Sequence, residues 1–392
     1  MKKIFIMLLL ISLFLGIDIV HADSEVVSKE EIEINLTPGA KSAIMIESSS
    51  GKILYNKNAN EPLAVASLTK IMSLILIFET IEKGGLTYEE MVTVSENAKQ
   101  MGGTQLWLET GEKISVNDLI KGITMVSAND AVVVLAERIA GTEEAFVKMM
   151  NKKTKELGLK NTNFMNSHGL DEEGHYSSAY DLAMMSLELI KHQDALKYTG
   201  IYESYIKENT ANKTWISNTN KLVRFYEGAD GLKTGATDDA GKCLAVTALR
   251  DNLRLITITL GYKNVDDRNK ETSDLLDFGF NQYIATILQK KGNIIGKANI
   301  DKAKTTPIDL ILEEDIVIVQ KKTDKELVYN YDIDLKSLKF PIKKGEVIGT
   351  YIVKTGNEIV KKSSLIMQKD INKIGIISLY FNVIKDILIG NK

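Results

Sequence analysis

EGADGLKTGATDDAGKCLAV occupies residues 227–246. Within it, Lys233-Thr234-Gly235 begins a predicted strand. Strand character continues through KCLAVTALR, residues 242–250, and LRLITITLGY, residues 253–262, joined by the turn Asp251-Asn252. A connection that short makes the two strands antiparallel, which argues against a doubly wound parallel sheet. The same tripeptide recurs at Lys354–Gly356 in YIVKTGNEIV. There Gly356-Asn357 is a pair suited to a tight hairpin turn, and the lysine reads as solvated.

Working outward, KSAIMIESSSGKILYNKN, residues 41–58, reads as a hairpin around a Ser-Ser-Gly turn. The pattern turns helical from Ala66 to Lys83. Residues 100–200 are mostly helix-like, with loops at MGGTQ, residues 101–105, and NSHGLDEEGHYSS, residues 166–178. RNKETSDLLDFGFNQYIATILQK, residues 268–290, reads as one long helix. Strands, a helical block, strands and a helix predict an α+β domain. Its antiparallel sheet is built from both ends of the segment and covered by helices. From Gly292 short β-type runs with charged turns predict a small all-β domain, residues 292–368.

Residues 1–22 read as a signal peptide: a Met-Lys-Lys start, an apolar stretch, and small Val20 and Ala22 before a cut at Asp23, with a retained N-terminal anchor as the plainer alternative. Removing Lys2, Lys3 and Asp18 takes the net charge from −3 to −4. That balance argues against nucleic acid as the main partner. With Cys243 as the single cysteine there is no internal disulfide, and its apolar run marks it as a small buried hydrophobe. Residues 369–392 place Ile374, Ile377, Phe381, Ile384 and Leu388 at helical spacing, interrupted by Asn382, Lys385 and Asp386. This suits an amphipathic helix in a membrane interface better than a bilayer span. A terminal helix docked on its own domain is the alternative.

Three short motifs carry the chemistry. Ser67-Leu68-Thr69-Lys70 is a Ser-x-x-Lys motif; others occur at Ser49–Lys52, in the hairpin turn, and at Ser204–Lys207, in a polar stretch. Only Ser67 opens a strongly apolar helix, IMSLILIF. Three-residue spacing puts Ser67 and Lys70 on one face. A desolvated lysine loses its proton more readily and can then take one from a serine. A helix cap beside a surface lysine is the plainer reading of the motif alone. Ser127-Ala128-Asn129 lies between two apolar segments, at a helix–helix junction facing a cleft. Ser-x-Asn also occurs at Ser95 and Ser115, and an N-cap serine is the plainer reading. Lys233 suits a substrate carboxylate and adds positive potential near Lys70. Gly235 lets a substrate backbone approach the strand edge. Their order is the more specific signal: 60 residues separate Ser67 from Ser127, and 106 separate Ser127 from Lys233.

With these segments, and with SANDAVVVLAE, NTNFMNSHGLDEEGHYSSAYDLA and RNKETSDLLDFGF, the chain resembles the low-molecular-mass penicillin-binding proteins that act as serine D-alanyl-D-alanine carboxypeptidases. The resemblance covers residues 40–285 closely and extends more weakly through FPIKKGEVIG. It implies a β-lactamase/transpeptidase-like catalytic domain over residues 23–291, without cofactor or metal. It implies Ser67 as acylated nucleophile, Lys70 as general base and Ser127 as proton relay. Asn129 would bind the peptide. Lys233, Thr234, Gly235 and Arg268 would bind the terminal carboxylate and substrate backbone, with the backbone N–H groups of Ser67 and Ala236 as oxyanion hole. Expected partners are peptidoglycan D-Ala-D-Ala stem peptides, β-lactams as covalent inhibitors, and the outer face of the cytoplasmic membrane through the C-terminal helix. Val65 stands where many relatives have proline, and Ala236 replaces a larger residue found in several members.

Three other functions are weighed against this. A D,D-endopeptidase would use the same chemistry on cross-links. A class A-like β-lactamase would need a deacylating glutamate in a Glu-x-x-x-Asn loop, for which Glu208–Asn212 is the only suggestive match in the central region. A non-catalytic wall-binding protein would keep the fold alone. His168 and His175 lack a His-Glu-x-x-His pattern and read as loop structure rather than metal ligands.

Overall fold

The computed structural model describes residues 35–300, 303–325 and 327–375. The expected signal peptide and most of the C-terminal segment, residues 376–392, lie outside these. Among the described residues, no helix is long and apolar enough to cross a membrane.

The hairpin is β1 (Ser42–Glu47) and β2 (Ile53–Lys57). A 3-10 turn, Ala66–Thr69, leads into α1 (Lys70–Glu82). The helical block continues with α2 (Asn129–Ala140), α3 (Glu143–Glu156) and α4 (Ala179–Leu189). The chain returns as β3 (Ala229–Thr237), β4 (Gly241–Arg250) and β5 (Leu253–Tyr262), then α5 (Val265–Gln282). The sheet order is β2-β1-β5-β4-β3, with every neighbour antiparallel. Strand β1 therefore pairs with β5 from the far end of the domain, as Ser42 opposite Leu260 through Glu47 opposite Leu255.

Alternation along the strands explains the layers. Ile44, Ile46, Ala245, Ile256 and Ile258 join α1, α2 and α4 in the larger core. Met45, Leu244, Val246 and Leu255 point the other way, against Leu275 and Leu276 of α5. Both sheet faces are covered, so the strands read as nearly continuous apolar runs. Helix α1 is buried from Lys70 through Phe78. Truncating one of its leucines to alanine would cost roughly 2–5 kcal/mol.

Two boundaries differ from the sequence expectation. The helix predicted to Lys290 stops at Gln282, and Tyr283–Gln289 is strand β6. Burial there alternates, with Tyr283 and Ala285 inside and Ile284 and Thr286 outside, and β6 pairs antiparallel with β9 (Ile316–Lys321). The β-rich part thus starts at 283, ahead of 292. Its main sheet runs β7-β8-β12-β11-β10, where β7 is Ile294–Ala298, β8 Ile308–Leu312, β10 Asn330–Leu335, β11 Val347–Thr355 and β12 Glu358–Ile366. At the other end, residues expected in the tail belong to this part: Ile371 is buried and exchanges two 2.9 Å backbone hydrogen bonds with Ile342.

Candidate active site

Lys70 has no solvent exposure, yet its ammonium position is fully ligated. Its Nζ lies 2.9 Å from Ser67 Oγ, 2.6 Å from Asn129 Oδ1 and 2.6 Å from the His168 carbonyl oxygen. The amide of Asn129 is oriented by its other end, because Nδ2 donates to the Gly102 carbonyl at 2.7 Å. Two of the three Lys70 neighbours are therefore pure acceptors, while a serine hydroxyl either donates or accepts. The set accommodates both forms: an ammonium donates to all three oxygens, and a neutral amine donates to the two carbonyls while its lone pair receives the hydroxyl hydrogen. Burial, reinforced by the nearby charge of Lys233, holds the Lys70 pKa well below the usual lysine range; Asp130 and Glu143 pull the other way.

The serine stands on the 3-10 turn because Ala66 takes φ +49°, a left-handed conformation rare outside glycine. The Ala66 carbonyl accepts from Thr69 Oγ1 at 2.8 Å, and Thr69 Oγ1 meets His175 Nε2 at 2.7 Å. Gly169, at φ +89°, lies directly over this turn: a Cβ there would come within 2.0 Å of the Ala66 oxygen.

Ser127 is placed by tethers on both sides. Two residues before it, the Met125 carbonyl accepts from Thr219 N at 2.9 Å and Oγ1 at 3.2 Å, and Thr219 Oγ1 meets Thr234 Oγ1 at 2.7 Å. Two residues after it, Asn129 holds Lys70. The backbone between is a single π-helical turn, Gly122–Val126, ending at Ser127 with φ +68°. Ser127 is thus not a helix N-cap. The competing copies are: Ser95 Oγ accepts from Ala98 N at 3.0 Å and Ser115 Oγ from Asp118 N at 3.1 Å.

Lys233-Thr234-Gly235 sits in the middle of β3 rather than at its start. Residues 229–232 are held extended by outside partners: Arg254 grips Asp230 with two bonds of 2.8 and 2.9 Å, and Asn220 Nδ2 donates to the Gly231 carbonyl at 3.0 Å. Strand β3 is the sheet edge. It crosses the nucleophile so closely that a Cβ on Gly235 would lie 2.9 Å from the Val65 oxygen and 3.2 Å from Ser67 N. Lys233 is 1% exposed; burial and the Arg268 charge push its pKa down to about 7. Arg268 itself is buried, donating to the Cys243 carbonyl at 3.3 Å. Ala236 follows on the same strand, opposite Lys242.

Four supporting residues were not singled out from sequence. Asp130, fully buried, accepts from the backbone N–H groups of Leu106, Leu108 and Ala131 and so fixes the loop whose Thr104 carbonyl receives Asn129 N. Glu143 accepts from Ser167 N at 3.0 Å and Ser167 Oγ at 2.6 Å, setting the peptide that presents the His168 carbonyl. The other two are Thr69 and Thr219. Asp130 directly follows Asn129, which was a usable signal; Glu143 and Thr219 gave none. His168 and His175 do serve loop structure. Burial lowers their pKa values to about 3 and about 4, so both rings are neutral near pH 7. Cys243 is fully buried and burial pushes its thiol up to about 11, which makes it unreactive.

The remaining sequence candidates fall outside this site. Glu208, the suggested deacylating glutamate, is exposed and paired with Lys213 at 3.4 Å. Lys354, in the second Lys-Thr-Gly, is the last residue but one of β11, before the hairpin turn, and pairs with Asp332 at 2.5 Å.

Residues 27–264 match the family model of D-alanyl-D-alanine carboxypeptidases, and residues 283–373 match the penicillin-binding protein 5 C-terminal domain. D-alanyl-D-alanine carboxypeptidase DacF of Bacillus subtilis is 46% identical over 340 residues, spanning 86% of this chain and 87% of that protein. The crystal structure of penicillin-binding protein 5 from Haemophilus influenzae superposes with a TM-score of 0.68 at 30% identity, covering 86% of this chain and 98% of that one. Penicillin-binding protein D2 of Listeria monocytogenes, solved in its ampicillin-bound form, is 32% identical with a TM-score of 0.58, covering 63% of this chain and all (100%) of that one. The chain therefore belongs to the serine-type D-alanyl-D-alanine carboxypeptidases, with a C-terminal domain of the penicillin-binding protein 5 type.

Proposed function

We propose that the enzyme trims the terminal D-alanine from peptidoglycan stem peptides through an ester on Ser67, and that penicillins trap the same ester. Neutral Lys70 takes the Ser67 proton as Oγ attacks the penultimate D-alanine carbonyl. The N–H groups of Ser67 and Ala236 receive the developing oxyanion. Ser127 relays that proton from Lys70 to the departing nitrogen, leaving Lys70 neutral again; the C–N bond breaks, and D-alanine leaves. Water then cleaves the ester and restores the Ser67 hydroxyl. Lys233 and Thr234, with Arg268 behind them, hold the terminal carboxylate. Asn129 binds the peptide, and the free edge of β3 offers Gly235 to its backbone.

The observation that carries this reading is the complete burial of Lys70 with its Nζ 2.9 Å from the Ser67 hydroxyl, where burial and the Lys233 charge favour the unprotonated amine. In a β-lactam the same attack opens the ring, but the leaving nitrogen stays tethered to the ester. The ampicillin-bound Listeria relative supports that adduct here. The exposed position of Glu208 weighs against a class A-like β-lactamase. We further assign residues 1–22 to export and the C-terminal segment to attachment at the outer face of the cytoplasmic membrane.

The test is D-alanine release from monomeric pentapeptide and from cross-linked dimer, beside labelling by fluorescent penicillin. Pentapeptide turnover and a lasting label, both lost in Ser67→Ala, are expected. Dimer cleavage faster than pentapeptide trimming would make the protein an endopeptidase. Rapid penicillin turnover would make it a β-lactamase. No labelling of the folded protein would leave a non-catalytic wall binder.

A further inference from the structure

The C-terminal β domain carries an open groove of about 640 Å³ at the end of β10. Leu335, Leu338 and Phe340 supply its apolar wall, and Lys336, Lys339 and Lys373 its charge. The loop is fixed at its start, where Lys336 N donates to the Ile348 carbonyl at 2.9 Å. Lys373 is fixed by its bridge to Ala303.

Some lysines of the same domain are ion-paired. Lys343 pairs with Asp370 at 3.0 Å, Lys354 with Asp332 at 2.5 Å and Lys361 with Glu314 at 3.8 Å. Among the described residues, Lys336, Lys339 and Lys373 form no ion pair. Three uncompensated cations thus surround an apolar recess. The described chain ends at Gly375, two residues beyond Lys373, and residues 376–392 follow in the sequence. That segment is rich in isoleucine and leucine and holds one acidic side chain, Asp386, beside Lys385 and Lys392. It cannot neutralise three lysines by itself.

We propose that this groove is a docking surface for anionic phospholipid: the lysines meet headgroup phosphates while exposed Leu335 reaches the acyl boundary. The inference rests on the reading of residues 376–392 as a membrane-attached segment, and adds a lipid preference and an orientation to it. The tail would supply attachment to any bilayer. The groove would set the β domain on a negatively charged one.

Full-length mature protein is sedimented with phosphatidylcholine vesicles and with vesicles containing phosphatidylglycerol, at low and at high salt. The same is done for K336E/K339E/K373E. Each lysine near an anionic surface contributes about fivefold in partitioning. The wild type should therefore prefer phosphatidylglycerol vesicles by more than tenfold at low salt, with the preference lost at high salt. The variant should lose that preference and keep its binding to neutral vesicles. A variant that retains the full preference overturns the groove, as does a wild type with none. Failure of the tail reading appears separately, as absent binding to neutral vesicles. K336Q/K339Q/K373Q, checked by thermal melting and D-alanine release, guards against a folding defect and should lose most of the same preference.

Discussion

Replacing Gly169 by alanine tests whether the loop over the nucleophile sets its position. Gly169 has φ +89°, and an added Cβ would lie 2.0 Å from the Ala66 oxygen and 2.5 Å from its carbon. Both are backbone atoms, so no rotamer change relieves the contact. Normal separation is about 3.2 Å, so one backbone must retreat by about 1 Å. The left-handed conformation costs about 1 kcal/mol for alanine, and overpacking adds ~1–3 kcal/mol. The sum, about 3 kcal/mol, corresponds to a fall in melting temperature of roughly 6–12 °C for a domain of this size. The retreating carbonyl belongs to the residue before Ser67, and a misplacement of about 1 Å is worth about 100-fold in rate. The assay is the second-order acylation rate with fluorescent penicillin, normalised to folded protein below the transition. A loss near 100-fold is expected. Acylation within threefold of wild type in a folded Gly169→Ala protein would refute the idea that this loop positions the serine.

Other outcomes follow from the same geometry. Lys233 must be charged to hold a carboxylate, and its pKa sits at about 7 in the free enzyme, so kcat/KM should fall above that pH through a rising KM. Arg268→Gln removes a charge that lowers Lys233, so that basic limb should move to higher pH while KM rises at every pH. Asp130→Asn sets an amide N–H against buried backbone donors and should cost ~1–3 kcal/mol in thermal or urea unfolding. It also removes a negative charge that raises the Lys70 pKa, so the acid limb of acylation should move to lower pH. Lys354→Ala should leave D-alanine release unchanged and cost at most about 1 kcal/mol, since its partner Asp332 is exposed, whereas Lys233→Ala should abolish efficient turnover.

The three boundary errors have physical causes. Tyr283–Gln289 follows a helix without a stop signal such as glycine or proline. Its isoleucines and threonine favour a strand, and β9 provides the hydrogen-bond partner that makes it one. The opposite happened at β3, where Ala-Asp-Gly is a poor strand former by propensity. Arg254, Asn220 and Thr199 hold Asp230 and Gly231 in place from elsewhere in the chain, with Thr199 Oγ1 donating to the Asp230 carbonyl at 3.0 Å. Ile371 reads as tail by hydropathy, but Ile342 pairs with it across the small domain.

By itself the sequence determined the antiparallel hairpins, the apolar helix behind Ser67, the order of the three motifs and the harmless nature of the second Lys-Thr-Gly. These are properties of local period, turn residues and spacing, which neighbouring residues encode. The tertiary structure alone decided that Lys70 has two pure acceptors and one hydroxyl, because Asn129 and the His168 carbonyl come from segments 59 and 98 residues away. It also shows how the three Ser-x-Asn copies, already told apart in sequence by their flanking segments, differ in conformation. Ser95 and Ser115 satisfy helix N-termini, while Ser127 is held on a left-handed backbone between tethers to Thr219 and Lys70. A proton affinity or a side-chain direction is set by whatever surrounds the group. In this protein the groups around Lys70 and Ser127 meet only after folding.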